Sequence, residues 1–399
     1  MKNKILIISS NYPYGKHETF LENEINYMSN FFDIHVLPMY KSKKSDVARK
    51  VPKNVTFSSP VLKTNQFKRL LNGLFNKAPL FIKISDITRL FRKSNNITKS
   101  LYQVYVNLIN FRCLISNRDF LESLNNKRED LIYFYWAFAP VKFIKTNKPI
   151  YVRVHGGEIY NDRNYGYVPF ENIKFTAENN IMYLPISGIS AKYLRRYSQH
   201  ISYKISRLGV FDRGLNPIKS EKITRIVSCS TLISLKRVHL IIESLALIKD
   251  LKIEWIHFGD GPLYKTLLIQ SSRLEANIDV IFKGRVSNAE LLSFYNNYHI
   301  DLFINVSETE GVPVSLMEAL SFGIPCFATN VGGTSEIIDE SVGSLVNKFF
   351  NPKILADYIL KTGNSEFISS VRTNARLRWE EIANAEKNYK DLYEIFKSF

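Results

Sequence analysis

The stretch SETEGVPVSLMEALSFGIPCFATNVGG, residues 307–333, sets two carboxylates, Glu310 and Glu318, around a Gly311-Val312-Pro313 turn and closes on a second pair of glycines. The preceding HIDLFINVS reads as a strand and SETEGV as a loop. A helix is expected from Pro313, whose fixed φ and missing N–H suit a first helical position. Gly323 should stop that helix and Pro325 begin the next strand. The first N–H groups of the helix, about residues 314–316, lack partners within it and carry the positive end of its dipole, an anion site that fits a diphosphate. Glu310 at the loop crest and Glu318 about a turn and a half into the helix can both accept hydrogen bonds from hydroxyls. Carboxylates bracketing a phosphate site imply a ligand with hydroxyls on both sides of its phosphates, and a nucleotide sugar has that form. Downstream, NVGGTSEII repeats the strand, glycine turn and helix start, and its glycines permit close backbone approach.

The elements that must position these groups alternate along the chain. KILIISS, DIHVLPM, DLIYFYW, IYVRVHG and MYLPISG read as buried parallel strands in the first half, and ITRIVSCS, KIEWIHFGDG, DVIFKGRV, HIDLFINVS and IPCFATN in the second. Helical patterns such as HETFLENEINYMSNFF and VHLIIESLALIKD separate them. The expectation is an α/β chain of two Rossmann-like, doubly wound domains facing across a cleft. The Gly- and Pro-bearing segment SRLGVFDRGLNPIKSEK marks the boundary, giving an N-terminal domain over 1–206 and a C-terminal one over 207–374. The tail RLRWEEIANAEKNYKDLYEIFKSF reads as one more helix, with 375–399 packing back on the first domain. Ligands of such sheets gather at the carboxyl ends of the strands, so the cleft is the default site.

Composition narrows the classes. Of 399 residues 45% are apolar and 23% charged, which suits a folded chain. Cys113, Cys229 and Cys326 lie far apart and form no metal or disulfide pattern. The start MKNKILIISS has too short an apolar run for a signal peptide, and no run reaches the ~18 residues of a membrane span, so a cytoplasmic protein is expected. The +17 charge concentrates between residues 60 and 118, where eleven Lys and Arg interleave with Phe, Leu and Ile at roughly helical spacing and only Asp86 opposes them. Such a segment fits an anionic membrane surface on the inner face of the membrane, or an ordinary solvated basic face. No nucleic-acid-binding motif accompanies the charge, so nucleic acid is not expected as a partner.

Together these blocks carry a resemblance. Glu310 and Glu318 with seven residues between them resemble the Glu-x7-Glu signature of glycosyltransferase family 4, retaining enzymes of GT-B fold that use nucleotide sugars. SSNYPYGKHETF, RVHGGE, PISGIS, LGVFD, LKRV, HFGDGP and FKGRV follow that family's order over most of the chain. EGVPVSLMEALSFGIPC is similar to bacterial enzymes that assemble capsule, exopolysaccharide or O-antigen chains. The resemblance implies transfer of a hexose from a UDP- or GDP-sugar to a hydroxyl of a lipid-linked glycan, with retention. It implies that Glu310 contacts the donor sugar, Glu318 the ribose, and the backbone of Gly311, Val312, Pro313 and Val314 the sugar and phosphate. Lys236 would meet the diphosphate. The family's arginine five or six residues earlier is absent, Ser230 and Thr231 standing there, so Arg237 either replaces that charge or remains a surface residue. His155 would lie by the donor's reacting face, Gly15 near its phosphates, and Arg285 and Val286 near the nucleobase. His17, Glu18 and Thr19 would face the acceptor, with Glu18 open between binding and helix capping. No Asp-x-Asp pair occurs, so no metal or other cofactor is expected. Rival readings are a GT-B-shaped sugar-nucleotide epimerase, a non-catalytic sugar-binding subunit, and a Rossmann oxidoreductase, whose fingerprint HFGDGPLYKTL completes only in part.

Overall fold

The computed structural model describes residues 2–15, 18–41, 47–62, 84–125, 129–161, 164, 167–169, 174–218, 223–362 and 365–398, with backbone only for 84–86 and 365–367. His17 and residues 63–83 of the basic segment lie outside the described residues. The chain divides into two compact units, Met1–Arg207 with Tyr389–Phe399, and Leu208–Asn388.

The first unit holds β1 (Lys4–Ser9), β2 (Asp33–Pro38), β3 (Val55–Phe57), β4 (Leu131–Phe134), β5 (Ile150–Val154) and β6 (Ile181–Pro185). They form one parallel sheet in the order β3-β2-β1-β4-β5-β6. Alternate side chains leave opposite faces of a strand, and both faces are covered: Leu6, Ile8, Ile132 and Phe134 enter one core, Ile5, Ile7, Leu131 and Tyr133 another. Leu392, Ile395 and Phe396 of the last helix, α13 (Ala385–Lys397), close the second core.

The second unit repeats the plan with β7 (Thr224–Cys229), β8 (Ile253–Phe258), β9 (Ile278–Gly284), β10 (Leu302–Asn305), β11 (Cys326–Thr329) and β12 (Gly343–Val346). Its parallel order is β12-β11-β10-β7-β8-β9. In each sheet the winding reverses between the first and fourth strands, β1 and β4 or β7 and β10. A doubly wound sheet opens a crevice at that switch point, outside the carboxyl ends. The expected α/β class and doubly wound architecture are what the structure has. The short edge strands β3 and β12 were absent from the sequence reading.

The tail differs from the single helix expected. It breaks at Ala383 and Asn384 into α12 (Ser365–Ile382) and α13. The cause is local: Asn384 Oδ1 accepts the N–H of Glu386 and Lys387, capping a new helix, while the Val210 backbone bonds Ala383 O and the N–H of Ala385.

Candidate functional site

In the second unit the carboxyl end of β7 runs through Ser234–Lys236, and that of β10 through the 306–313 loop into α10 (Val314–Ser321). The two loops meet across the switch point. Lys236 Nζ lies 2.5 Å from Glu310 Oε1, and Asn305 Nδ2 approaches the same oxygen at 3.4 Å. Glu310 is only 8% exposed, so this pair is screened less than a surface one. Pro313 is the cap of α10 rather than its first residue, and its carbonyl accepts from Leu316 N–H at 3.2 Å. The free amino end is thereby shortened from the three amides expected to those of Val314 and Ser315.

The far end of α10 explains its length. Gly323 takes φ +69°, Ile324 N–H returns to Ala319 O at 3.0 Å and Gly323 N–H to Leu320 O at 2.9 Å, the paired bonds that end a helix on a left-handed glycine. Behind the loop, Gly332 (φ +53°) presses on Glu310: a Cβ there would meet Glu310 O at 1.8 Å. The Gly333 N–H donates to Gly311 O at 2.6 Å. The second glycine pair therefore fixes the backbone that carries Glu310.

Glu318 points from α10 to a partner the sequence reading missed, Asn288, whose Nδ2 donates to Oε1 at 2.6 Å. Asn288 opens α9 (Asn288–Asn297), just past β9. Glu318 is 7% exposed, and burial raises its pKa to about 7 against the lowering effect of the Asn288 bond. The folded chain holds that proton well above the ordinary value of 4.5, so its contribution to stability is full below about pH 4.5 and is lost as the pH rises through about 7. Glu318→Gln is expected to flatten this slope and to gain stability over the wild type, on the order of 3 kcal/mol at most, at pH 8. Denaturant midpoints of both proteins from pH 4 to 8 measure it, and parallel curves would refute it.

Arg237 is a left-handed residue (φ +48°) whose guanidinium donates to Val306 O at 2.9 Å, Lys348 O at 2.7 Å and Ser307 O at 3.3 Å. These bonds hold the start of the Glu310 loop. Arg285 is exposed just beyond Gly284 at the end of β9, with Val286 half-buried beside it. The Gly259 and Gly261 turn packs on the Ser230 and Leu232 carbonyls, an architectural role.

The first unit gathers its own groups at the β1/β4 switch point. His155 follows β5 and lies with its ring on Trp136, centroids 4.3 Å apart and planes at 33°. Its Nε2 is 3.1 Å from Tyr135 O; a carbonyl only accepts, so the ring carries its proton on Nε2. Burial, then the charge of Arg153, push its pKa down to about 3 against the Tyr135 bond, so His155 is neutral at physiological pH. Gly15 adopts φ +68° and its carbonyl accepts from Arg49 Nε at 2.9 Å. Thr19 opens α1 (Thr19–Met28). Glu18 turns its carboxylate inward, onto Ser10, Asn11, Tyr12 and Trp136. Trp136, like Asn288, was missed; its place at the end of DLIYFYW was the available signal. Among the described residues no three His, Cys, Asp or Glu side chains are placed to hold a metal, and no helix is long and apolar enough to cross a membrane.

Residues 216–397 match the family described as Glycosyl transferases group 1. The chain is 34% identical over 124 residues to N-acetyl-alpha-D-glucosaminyl L-malate synthase of Bacillus anthracis, covering 31% of each. It is 39% identical over 88 residues to the O-antigen biosynthesis glycosyltransferase WbnH of Escherichia coli, 22% of this chain and 23% of that protein. The chain thus spans about a third or less of these curated relatives. Among solved structures, Anabaena HepE in complex with UDP aligns over 100% of both chains with a TM-score of 0.64 at 16% identity. A likeness that remote but that complete shows the fold: GT-B, two doubly wound units in one chain.

Proposed function

From the group 1 match we propose that this chain is a glycosyltransferase of the retaining, family 4 kind, moving a hexosyl group from a nucleotide-diphosphate sugar to a hydroxyl of a lipid-linked glycan in bacterial surface polysaccharide synthesis. The observation that carries this reading is the Lys236–Glu310 pair, set across the β7/β10 switch point beside the free amides of Val314 and Ser315. An ammonium and a helix amino end converge where a diphosphate would lie, and a carboxylate beside them suits sugar hydroxyls. HepE, of the same fold, is a UDP complex.

In the proposed reaction the diphosphate rests on the amides of Val314 and Ser315 and on Lys236. Glu310 accepts from a hydroxyl of the donor sugar, and Glu318 with Asn288 takes the ribose. As the anomeric C–O bond breaks, negative charge grows on the leaving phosphate, where Lys236 and the helix end meet it. The acceptor hydroxyl adds from the same face and its proton passes to that phosphate oxygen, so the base is the leaving group itself. Charge from the helix and Lys236 supplies what a divalent cation would, which is why no metal is proposed.

A thermal-shift panel of UDP, GDP and ADP with their sugars tests the reading. The matching nucleotide at a hundredfold excess over its Kd should stabilise the folded chain by about 2.7 kcal/mol, and a panel with no shift would refute it.

The acceptor proposed is membrane-borne, and α2 (Ile84–Lys93) and α3 (Ile97–Leu114) present a surface suited to anionic lipid. Ile87, Phe91, Leu101 and Tyr102 are exposed there together with Arg92, Lys93 and Lys99. Rings in the headgroup layer and cations over lipid phosphates bind additively. Co-sedimentation with phosphatidylglycerol vesicles should be strong at low salt and fall as salt rises; equal recovery on phosphatidylcholine would leave the surface without that role.

A further inference from the structure

The first unit places a carboxylate where its loop offers only donors. After β1 the N–H groups of Ser10, Asn11 and Tyr12 turn to one point, and the Glu18 carboxylate occupies it: Oε1 accepts from Ser10 N–H at 2.9 Å, Oε2 from Asn11 N–H at 2.6 Å and Tyr12 N–H at 2.7 Å. Successive amides converging in this way form an anion nest. A fourth donor, Trp136 Nε1, reaches Oε1 at 2.5 Å from the loop after β4. To make these bonds Glu18 holds a left-handed backbone, φ +59°, which a side-chain-bearing residue seldom adopts. The carboxylate therefore bridges the β1/β4 switch point, joining one strand's amides to the other strand's indole.

Trp136 passes the constraint on. One side of its ring packs on His155. It also lines a cavity of about 280 Å³ with Tyr40, Asn110, Phe138 and Glu158, at the carboxyl ends of the strands. An indole on a loop would otherwise sample several rotamers. A bond from its N–H to a carboxylate that is itself held by three amides leaves one.

We infer that Glu18 is a positioning residue: an internal anion that fills the nest at the end of β1 and, through the Trp136 N–H, fixes Trp136 in the wall of that cavity and against the His155 ring. The kinetic part of this inference rests on the transferase reading. Its spectroscopic part does not.

Acrylamide quenching isolates Trp136, because the other two tryptophans, Trp255 and Trp379, are 0% and 1% exposed. Glu18→Ala should empty the nest, free the indole and raise the quenching constant at least twofold. Sodium formate, which fits the vacated carboxylate position, should restore low quenching in Glu18→Ala and raise its Tm, while leaving the wild type unchanged. Glu18→Asp should recover part of the effect unaided. In Glu18→Gln the side chain still fills the space, so quenching should rise but formate should not reverse it; this variant also serves if the alanine variant does not fold. Hydrolysis of the UDP- or GDP-sugar that the thermal panel identifies should fall about tenfold in kcat in Glu18→Ala, with nucleotide affinity unchanged, and recover with formate. Sodium chloride at equal ionic strength is the control.

Wild-type quenching in Glu18→Ala, or recovery equal in chloride and formate, would overturn the inference. If no nucleotide binds the wild type and no donor is hydrolysed, the transferase reading fails, and quenching with formate still decides the role of Glu18.

Discussion

Glu310→Gln is expected to lower donor turnover by about 10²–10³-fold while the denaturation midpoint and nucleotide affinity stay close to the wild type. The substitution keeps the shape of the side chain and one oxygen for Asn305 and Lys236, so the loop retains its bonds. It removes the negative charge that Lys236 faces and that a donor hydroxyl would address in a largely water-excluded position, where electrostatic terms are large. Lys236→Ala should match it in turnover but not in stability, because a carboxylate 8% exposed is left without its cation. Steady-state hydrolysis or transfer with the nucleotide sugar found by thermal shift, read beside urea midpoints, separates the two effects. A Glu310→Gln protein with wild-type kcat would remove Glu310 from the chemistry and with it the role proposed for the pair.

Arg237 marks the contrast. It follows Lys236 in sequence and was read as a candidate for a missing cation, yet its guanidinium holds the carbonyls of Val306, Ser307 and Lys348. A formal charge in a motif says nothing of its partners, and here the partners are backbone groups 69 to 111 residues away. Asn288 and Trp136 escaped the sequence reading for the same reason: they meet Glu318 and Glu18 across 30 and 118 residues, and no periodic pattern records such pairs. What was legible was local. Buried parallel strands are near-continuous apolar runs, and a proline followed ten residues later by glycine brackets a helix. From these came the α/β plan and the position of α10. The edge strands β3 and β12 each bury only their first residue, so neither carries the near-continuous apolar run of a strand covered on both faces. The break between α12 and α13 depends on Val210 bonding to both sides of Asn384, a contact from another part of the chain.

The second large effect expected is on stability, at Arg153. This residue on β5 is 0% exposed and its ion-pair partner on α1, Glu24, is 2% exposed, with 2.7 Å between Arg153 Nη2 and Glu24 Oε2. Tyr133 Oη and the carbonyl and hydroxyl of Ser206 take three more of its N–H groups. Burial lowers the pKa of the guanidinium, but Glu24, Tyr133 and Tyr135 outweigh it and hold it above its ordinary value; burial likewise raises Glu24 against the pull of Arg153. Arg153→Ala should therefore cost about 3–5 kcal/mol, since it leaves Glu24 ionised or protonated in a site built for neither. That is a large share of the roughly 5–15 kcal/mol that separates folded from unfolded chains. Arg153→Met combined with Glu24→Leu should recover most of the loss, because two apolar side chains need no partner. Urea unfolding of the three proteins decides it: a single-variant loss below about 1 kcal/mol, or a double variant worse than the single, would mean that the pair is not what secures α1 to the sheet. If the double variant folds well but hydrolyses donor slowly, the pair is retained for the site, since Arg153 stands two residues before His155 and its charge helps keep that imidazole neutral.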